Sequence, residues 1–404
     1  MLAFFANAAL YVLPILVVLT LIVTIHELGH FLTARAFGVA VDRFSVGFGR
    51  AIVSVRDKWG VEWRIGWLPL GGYVRFAGDE NAASVPDEAD LDDLRRSIVE
   101  REGAGAEARY FPFKPLWQRA LVVVAGPAAN FVLAIALFAL LFGTLGEVVT
   151  QGPIAQVMPG SAAAAAGFLA GDEVVGADGQ TIRGFEDLRE YVAYRDGVAI
   201  DFAVMRGGKL IHLDATPQKV VSDSPFGGQA SGGQLGVSLA PQQPKIVHYD
   251  PISAIGMGVS RTWDAVATTG FYFGRLITGH VGVDQLHGVI GTARASGAIA
   301  KQAIDDAPGH PALQAMGVIV NMVGFCALLS IWIGLVNLMP IPVLDGGHLL
   351  FYAYEGIVRR PLSAGVQAAG YRVGLALLAC LLLVANGNDL HLQKVFHFIG
   401  GLFS

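Results

Sequence analysis

Four long apolar runs set the frame of the chain, at about residues 2–32, 120–145, 313–338 and 366–384. A helix needs about 20 apolar residues to cross a hydrocarbon layer ~30 Å thick, and each run is close to that length or longer. Between the first two runs the pattern changes. Residues 44–49, 51–55, 61–65 and 71–76 alternate and are separated by Gly, Pro or charged turns, which predicts a small set of β-hairpins. Directly after a membrane span, apolar non-helical backbone is tolerated only when it pairs with itself or packs on protein. Residues 80–109 are acidic, Ala-rich and weakly patterned, and read as a mobile surface loop.

Past the second run the style changes again. Residues 161–172 suggest a short helix and a glycine turn, and Asp178-Gly179 turns a hairpin. Residues 185–194 form an amphipathic helix, and 199–205 alternate as a strand before the Arg206–Lys209 turn. This order resembles a circularly permuted PDZ domain, a fold that binds extended peptide ends by adding a strand to a sheet edge. The alternative is a spacer domain without a ligand. Residues 221–244, rich in Gly, Ser, Gln and Pro, read as a linker. Residues 252–279 are apolar but carry Arg261, Asp264 and Arg275, and suggest one or two amphipathic helices lying on membrane or protein, or more weakly a further span.

The predicted fold class is a polytopic α-helical membrane protein of four transmembrane helices. It adds a membrane-associated β-hairpin region and an inserted α+β domain of PDZ type. The expected segments are the first transmembrane helix (1–34), the β-hairpin region and loop (35–118), and the second helix (119–146). The PDZ domain (147–220) and the linker with the amphipathic segment (221–312) follow. The third helix (313–338), an Asp-Gly ligand loop (339–365), the fourth helix (366–385) and a C-terminal tail (386–404) complete the chain.

Composition supports the membrane reading. Of 404 residues 53% are hydrophobic and 15% charged, against about 25% charged in soluble domains. The net charge of −5 is spread out, so nothing in it points to nucleic acid. Cys326 and Cys380 fall in apolar runs and read as buried small hydrophobes, with no disulfide or thiolate metal site implied. No Lys or Arg precedes Arg35, after which Arg43, Arg50, Arg56 and Lys58 come close together. The positive-inside rule then puts the N-terminus outside and the segment after the first span in the cytoplasm. Arg359 and Arg360 agree, giving four spans with both termini outside. The first run lacks a basic n-region and is too long for a secretory signal, so it is expected to be retained.

The polar residues inside the first run carry the chemistry. His26 and His30 in Ile25-His-Glu-Leu-Gly-His30 are four apart and share one face of a helix. Two neutral imidazoles so placed can grip one Zn²⁺, and Glu27 can hold and deprotonate a water there. A chance His-x-x-x-His is the bland alternative, but ionisable groups inside a membrane span are costly and read as functional. Asp345, before Gly346-Gly347, would alone be a turn residue. In the four-span topology, however, the first span enters the cytoplasm just after His30 and the third just before Asp345. The two meet at one depth, and Asp345 can supply a carboxylate as third ligand, the donor set of a hydrolytic zinc site. Asn130, in mid-span beside Gly126-Pro127, can hydrogen-bond a neighbouring helix or a substrate backbone.

Three motifs together resemble the site-2 protease family of intramembrane zinc metalloproteases, in its bacterial regulator-of-sigma-E protease branch. They are His26-Glu27-Leu-Gly-His30, Gly126-Pro-Ala-Ala-Asn130-Phe and Asn337-Leu-Met-Pro-Ile-Pro-Val-Leu-Asp345-Gly, and the likeness covers nearly the whole chain. The resemblance implies a zinc endopeptidase of the bacterial inner membrane, acting in regulated intramembrane proteolysis. Its substrate would be a single-pass membrane protein, typically an anti-sigma factor already trimmed outside, or a signal-peptide remnant. It maps zinc ligands onto His26, His30 and Asp345, the catalytic glutamate onto Glu27, and a substrate-holding role onto Asn337. It also matches a re-entrant β-hairpin and a substrate-pairing edge strand to the stretches around Phe44–Val55 and Gly72–Phe76, the latter with Gly72, Tyr73 and Val74, while the four-span topology puts the PDZ domain on the periplasmic side and turns the zinc site towards the cytoplasm. One departure is that the best-known member carries tandem PDZ domains, whereas a single one is legible here. A PDZ-bearing scaffold with a dead metal site is the rival reading, and would call for a missing ligand or a missing glutamate. A transporter would call for internal repeats, and none is evident.

Overall fold

The structure, a computed structural model, describes residues 2–78, 88–150, 152–223, 229–239, 245–281 and 286–390. Helix α1 (Leu2–Ala36) opens the chain, followed by two long strands, β1 (Val41–Arg56) and β2 (Glu62–Phe76), and by helix α2 (Glu88–Glu102). Helix α3 (Leu116–Thr144) leads into β3 (Glu147–Val149), β4 (Ile154–Val157), α4 (Ala162–Ala166), β5 (Glu173–Ala177), β6 (Gln180–Thr181) and α5 (Phe185–Ala193). Strands β7 (Ile200–Arg206), β8 (Lys209–Ala215), β9 (Gln218–Asp223), β10 (Gln229–Gln234), β11 (Val237–Leu239) and β12 (Lys245–Val247) come next. Helices α6 (Pro251–Ile277), α7 (Val289–Asp305), α8 (Pro311–Asn337), α9 (Asp345–Val358) and α10 (Ala364–Asp389) close the described chain. Among the described residues four helices are long and apolar enough to cross a membrane: Val12–Ala36 within α1, and α3, α8 and α10.

The chain divides into two compact units, residues 1–138 with 295–384, and residues 139–294 with 385–404. In the first unit α1 and α3 touch backbone to backbone. A Cβ at Gly29 would lie 2.2 Å from the Ala125 carbonyl oxygen, so only glycine permits the crossing. Val18 and Ile22 of α1 bury themselves with Cys326 of α8. Cys380, expected to be buried, is exposed on α10.

The β-rich stretch after α1 is a sheet rather than separate hairpins. Segment 43–46 of β1 pairs with 62–65 on one side and with 72–75 on the other, while 51–56 pairs with 62–66. Gly72–Phe76 is thus an outer segment, lying against α1. Phe31 anchors the sheet to α1, meeting Phe44 and Trp63 edge-on at 5.4 and 5.2 Å between centroids. Ile52, Val55, Trp59 and Trp67 stay exposed, apolar side chains suited to lipid, with Arg35 of α1 lying over the Trp59 ring at 4.9 Å.

Two further expectations need correction in this unit. Residues 80–109 were expected to form a mobile loop, but 88–102 are helical; residues 79–87 lie outside those described. Leu91, Leu94 and Ile98 recur at helical spacing, and Ile98 is fully buried, enough to hold an otherwise acidic helix in place. The 339–365 ligand loop holds a helix of its own, α9, which begins at Asp345.

Among its described residues the second unit contains a four-stranded sheet, in the order β6-β5-β7-β8, three further strand pairs, and helices α4, α5 and α6. Its core gathers Ile154, Phe168, Leu188, Val192, Ile200, Phe202 and Val204. Asp172, fully buried, accepts from Arg206 Nε at 2.6 Å and Nη2 at 2.7 Å. The stretch 221–244 was expected to be a linker, but β10 pairs with β9 and β11 pairs with β4. Its described glycines serve close packing. A Cβ at Gly233 would stand 2.3 Å from the Val192 carbonyl oxygen at the end of α5. Residues 224–228 and 240–244 lie outside those described. One amphipathic helix, α6, clamps to this α+β body through Arg261–Glu190 (2.7 Å) and Arg275–Asp196 (3.0 Å).

Candidate metal centre

His26 and His30 stand one turn apart on α1, with Nε2 atoms 3.1 Å apart and ring planes at 84°. Asp345, in the first turn of α9, brings Oδ2 to 3.1 Å from His26 Nε2 and 3.6 Å from His30 Nε2. Among the described residues this is the one set of His, Cys, Asp or Glu whose candidate ligand atoms all lie within 4.8 Å of one another. The spacing fits zinc. Ligand bonds of about 2.0–2.2 Å at tetrahedral angles put neighbouring ligand atoms about 3.3 Å apart. The donor chemistry fits as well, since Asp345 Oδ2 is buried and accepts no well-formed hydrogen bond from the protein.

Neighbouring backbone fixes these side chains. His30 Nδ1 lies 2.8 Å from the Val122 carbonyl oxygen, which can only accept, so the proton sits on Nδ1 and Nε2 is left bare for a metal. Gly126 of α3 lies flat against both rings, where a Cβ would meet His30 Nε2 at 2.3 Å. Asp345 is held by two glycines that let α9 begin tight against the preceding turn. A Cβ at Gly346 would lie 2.2 Å from the Met339 carbonyl oxygen, and one at Gly347 2.4 Å from that of Ile341.

Glu27 faces the outer segment of β2, whose Val74 N–H donates to Glu27 Oε2 at 3.0 Å. A Cβ at Gly72 would lie 3.5 Å from Glu27 Cγ, so Gly72 and Val74 both border the glutamate. Tyr73 turns away, its ring stacked 6.1 Å from Phe48 and its hydroxyl 3.3 Å from Arg43 Nη1. Asn130 is fully buried, with its amide nitrogen 3.3 Å from His26 Nδ1. Asn337 donates to the Ile333 carbonyl of its own helix at 3.1 Å. The structure therefore gathers His26, Glu27, His30, Asp345, Gly72, Val74 and Asn130, and leaves Tyr73 and Asn337 with other partners. The Val122 carbonyl and the contact face of Gly126 escaped the sequence reading. A backbone acceptor leaves no side-chain signal, and Gly126-Pro127 signalled only close helix packing.

Comparison with known proteins agrees with this geometry. The profile of peptidase family M50 matches residues 14–381. The chain is 50% identical to Metalloprotease MmpA of Caulobacter vibrioides over 390 residues, 96% of this chain and 98% of that protein. It is 39% identical over 382 residues to a protein of Agrobacterium fabrum named as a proposed zinc metalloprotease, covering 94% of this chain and 95% of that one. A Rhizobium meliloti protein named in the same way is 39% identical over 384 residues, 94% of this chain and 96% of its own. Four membrane-length helices and a zinc-compatible donor set thus lie inside a match that covers nearly the whole chain, and the chain belongs to peptidase family M50, the site-2 proteases, as a zinc metalloprotease.

Proposed function

We propose that His26, His30 and Asp345 hold the zinc ion, that Glu27 is the general base, and that the bond cut lies in or near the transmembrane segment of a single-pass membrane protein. The observation that carries this reading is the convergence of three candidate ligand atoms within 3.1–3.6 Å, next to a glutamate on the same helical turn. Bound zinc supplies Lewis acidity toward a water and a carbonyl oxygen. Glu27 takes a proton from the attacking water and returns it to the leaving amine, a role worth about 10²–10⁴ in rate. The Val74 N–H steadies the carboxylate, and the Val122 carbonyl holds the His30 ring in its ligating orientation.

A peptide bond inside a substrate helix is shielded by its own hydrogen bonds, so the helix must unwind before attack. The outer segment Gly72–Val74 supports this step by offering to an extended strand the main-chain groups that Glu27 does not engage, and Asn337 adds a contact through its side-chain oxygen, its amide N–H being held by Ile333. The substrate class that suits this scheme is an anti-sigma factor already trimmed outside the membrane. We place the protein in the bacterial inner membrane, with the zinc site towards the cytoplasm and the α+β body in the periplasm, on the strength of the Arg35–Lys58 cluster. We read that body as a permuted PDZ domain that excludes bulky ectodomains. Because β12 pairs with β3, it spans 147–247 rather than ending at residue 220. Removing it should make an untrimmed substrate cleavable, and loss of cleavage of a trimmed one would instead make it a recruiter.

The deciding experiment is Glu27→Gln in the purified full-length protein, assayed for zinc content and for cleavage of a single-pass substrate. Zinc should remain equimolar while cleavage disappears. Substantial cleavage by this variant would remove Glu27 from the chemistry, and a parent protein that binds zinc but cleaves no membrane substrate would favour the scaffold reading.

A further inference from the structure

Asn130 sits on α3 with no exposed surface, and its side-chain amide meets Nδ1 of His26 at 3.3 Å. Its Oδ1 is buried with no hydrogen-bond partner. Its position is fixed from the other side, because Ser330 Oγ donates to the Asn130 carbonyl oxygen at 2.9 Å and Gly334 leaves just room for its Cβ. A rigidly held, buried amide with an unused acceptor therefore lies beside the outer nitrogen of a candidate metal-binding histidine.

The chemistry of that histidine decides which way the amide must point. The Nε2 atom of His26 faces His30 and Asp345, so Nε2 is the atom that gives its lone pair to a metal. A neutral imidazole ligating through Nε2 carries its proton on Nδ1, and that buried N–H needs an acceptor. His30 has the Val122 carbonyl for this purpose, whereas His26 has the Asn130 amide. With the amide nitrogen toward the ring, Asn130 would donate to Nδ1 and force the proton onto Nε2, the tautomer that cannot ligate. The amide oxygen and nitrogen occupy nearly identical volumes, so the two orientations differ mainly in the tautomer they impose.

We infer that Asn130 is a positioning residue for zinc: its Oδ1 accepts from His26 Nδ1–H and holds that ring in the ligating tautomer. The inference rests on the reading of His26 as a ligand. It assigns Asn130 to the metal site instead of to substrate, in keeping with its complete burial.

The test uses full-length protein in detergent, with zinc affinity measured by competition against a chelator. Asn130→Leu keeps the volume and removes the acceptor, and should weaken zinc binding 10- to 100-fold. Asn130→Ala cannot overpack and carries the same expectation should the Leu variant not fold. Asn130→Asp keeps an acceptor and should bind zinc at least as tightly as the parent. Nitrogen NMR of labelled histidine in the zinc-loaded protein should show a hydrogen-bonded Nδ1–H on His26 in the parent and the Asp variant, and lose it in the Leu or Ala variant. Parental affinity in the acceptor-less variants, or equal weakening in all three, would overturn the inference and leave Asn130 as a helix-packing residue. His26→Ala separates this from the underlying reading, since equimolar tight zinc in that variant would remove His26 itself from the ligand set.

Discussion

Gly126 and His30 meet backbone against imidazole: a Cβ on Gly126 would stand 2.3 Å from His30 Nε2 and 2.4 Å from Cε1. The same atom would lie 2.9 Å from Cε1 of His26, so one glycine on α3 sets the room available to both rings. Glycine is a poor helix former, about 1 kcal/mol worse than alanine at an exposed interior site, and its presence here is explained by the contact. Gly126→Ala should therefore leave the helix content intact and lower zinc affinity at least about 10-fold, since ligands displaced by a fraction of an ångström no longer converge. Gly365→Ala on α10, where a Cβ meets nothing within 4 Å, is the control and should bind zinc normally. Equal zinc affinity in both variants would show that the rings can move aside without loss.

The contact between Val74 and Glu27 yields a second expectation. The Val74 N–H is spent on Glu27 Oε2, and proline at this position removes the donor. An outer strand segment tolerates proline better than a central one, so the sheet should survive. Val74→Pro should reduce turnover about 10-fold, a part of what a positioned general base contributes, while zinc content stays at parental level. A parental rate would mean that the glutamate needs no help from the strand.

The sequence made the spans and the histidine pair legible for one physical reason: charge inside an apolar run is expensive, so His26, Glu27 and His30 stand out against their surroundings. Asp345 became readable only through topology, because a lone Asp before Gly-Gly is ordinary turn chemistry. Helix α2 was hidden by its acidic composition, although Leu91, Leu94 and Ile98 carried the period. Strands β10 and β11 were hidden by glycines that mimic a linker and in fact serve close approach, Gly232 and Gly233 to the end of α5 and Gly236 to Ser161 before α4. Contacts made by main-chain atoms, such as Val122 to His30 and Val74 to Glu27, depend on register and helix crossing, and no side chain announces them.

A pH dependence follows from Asp172 in the α+β body. Two guanidinium hydrogen bonds from Arg206 hold its carboxyl below the ordinary aspartate range, outweighing burial. A carboxyl with a depressed folded-state pKa stabilises the fold fully above its unfolded value of about 4, and that stabilisation is lost as the pH falls through the folded value. Acidification from about pH 5 to about pH 2 should loosen this body, seen as faster hydrogen exchange at the Phe202 and Val204 amides of β7. Asp172→Asn should cost about 2–3 kcal/mol at neutral pH, at the low end for a buried pair because a third of the Arg206 side chain faces water. The Asn variant should also lose most of the acid sensitivity. If parent and variant respond to acid alike, another carboxylate governs the transition.

Val343, two residues before the candidate ligand Asp345, has a φ of +108°, a region that a β-branched residue adopts only under constraint. Such a conformation costs about 1–3 kcal/mol and persists where the surroundings over-determine it. Here the constraint is visible. Pro342 is pinned against α10, where a Cβ at Gly374 would lie 1.9 Å from its carbonyl oxygen, and Leu344 N–H donates back to the Ile341 carbonyl at 3.0 Å. Val343→Gly relieves the strain but adds freedom to the unfolded chain, which offsets about 0.5–1 kcal/mol of the gain. The net expectation is a variant about 1 kcal/mol more stable, measured by thermal unfolding in detergent, with Asp345 still in place. Zinc affinity should then match the parent, because the clamp on Pro342 holds the turn rather than the valine side chain. Gly374→Ala attacks the clamp itself and should lower zinc affinity although it lies on another helix. A Val343→Gly variant that loses zinc while Gly374→Ala keeps it would reverse this assignment and make the strained valine the element that aims Asp345.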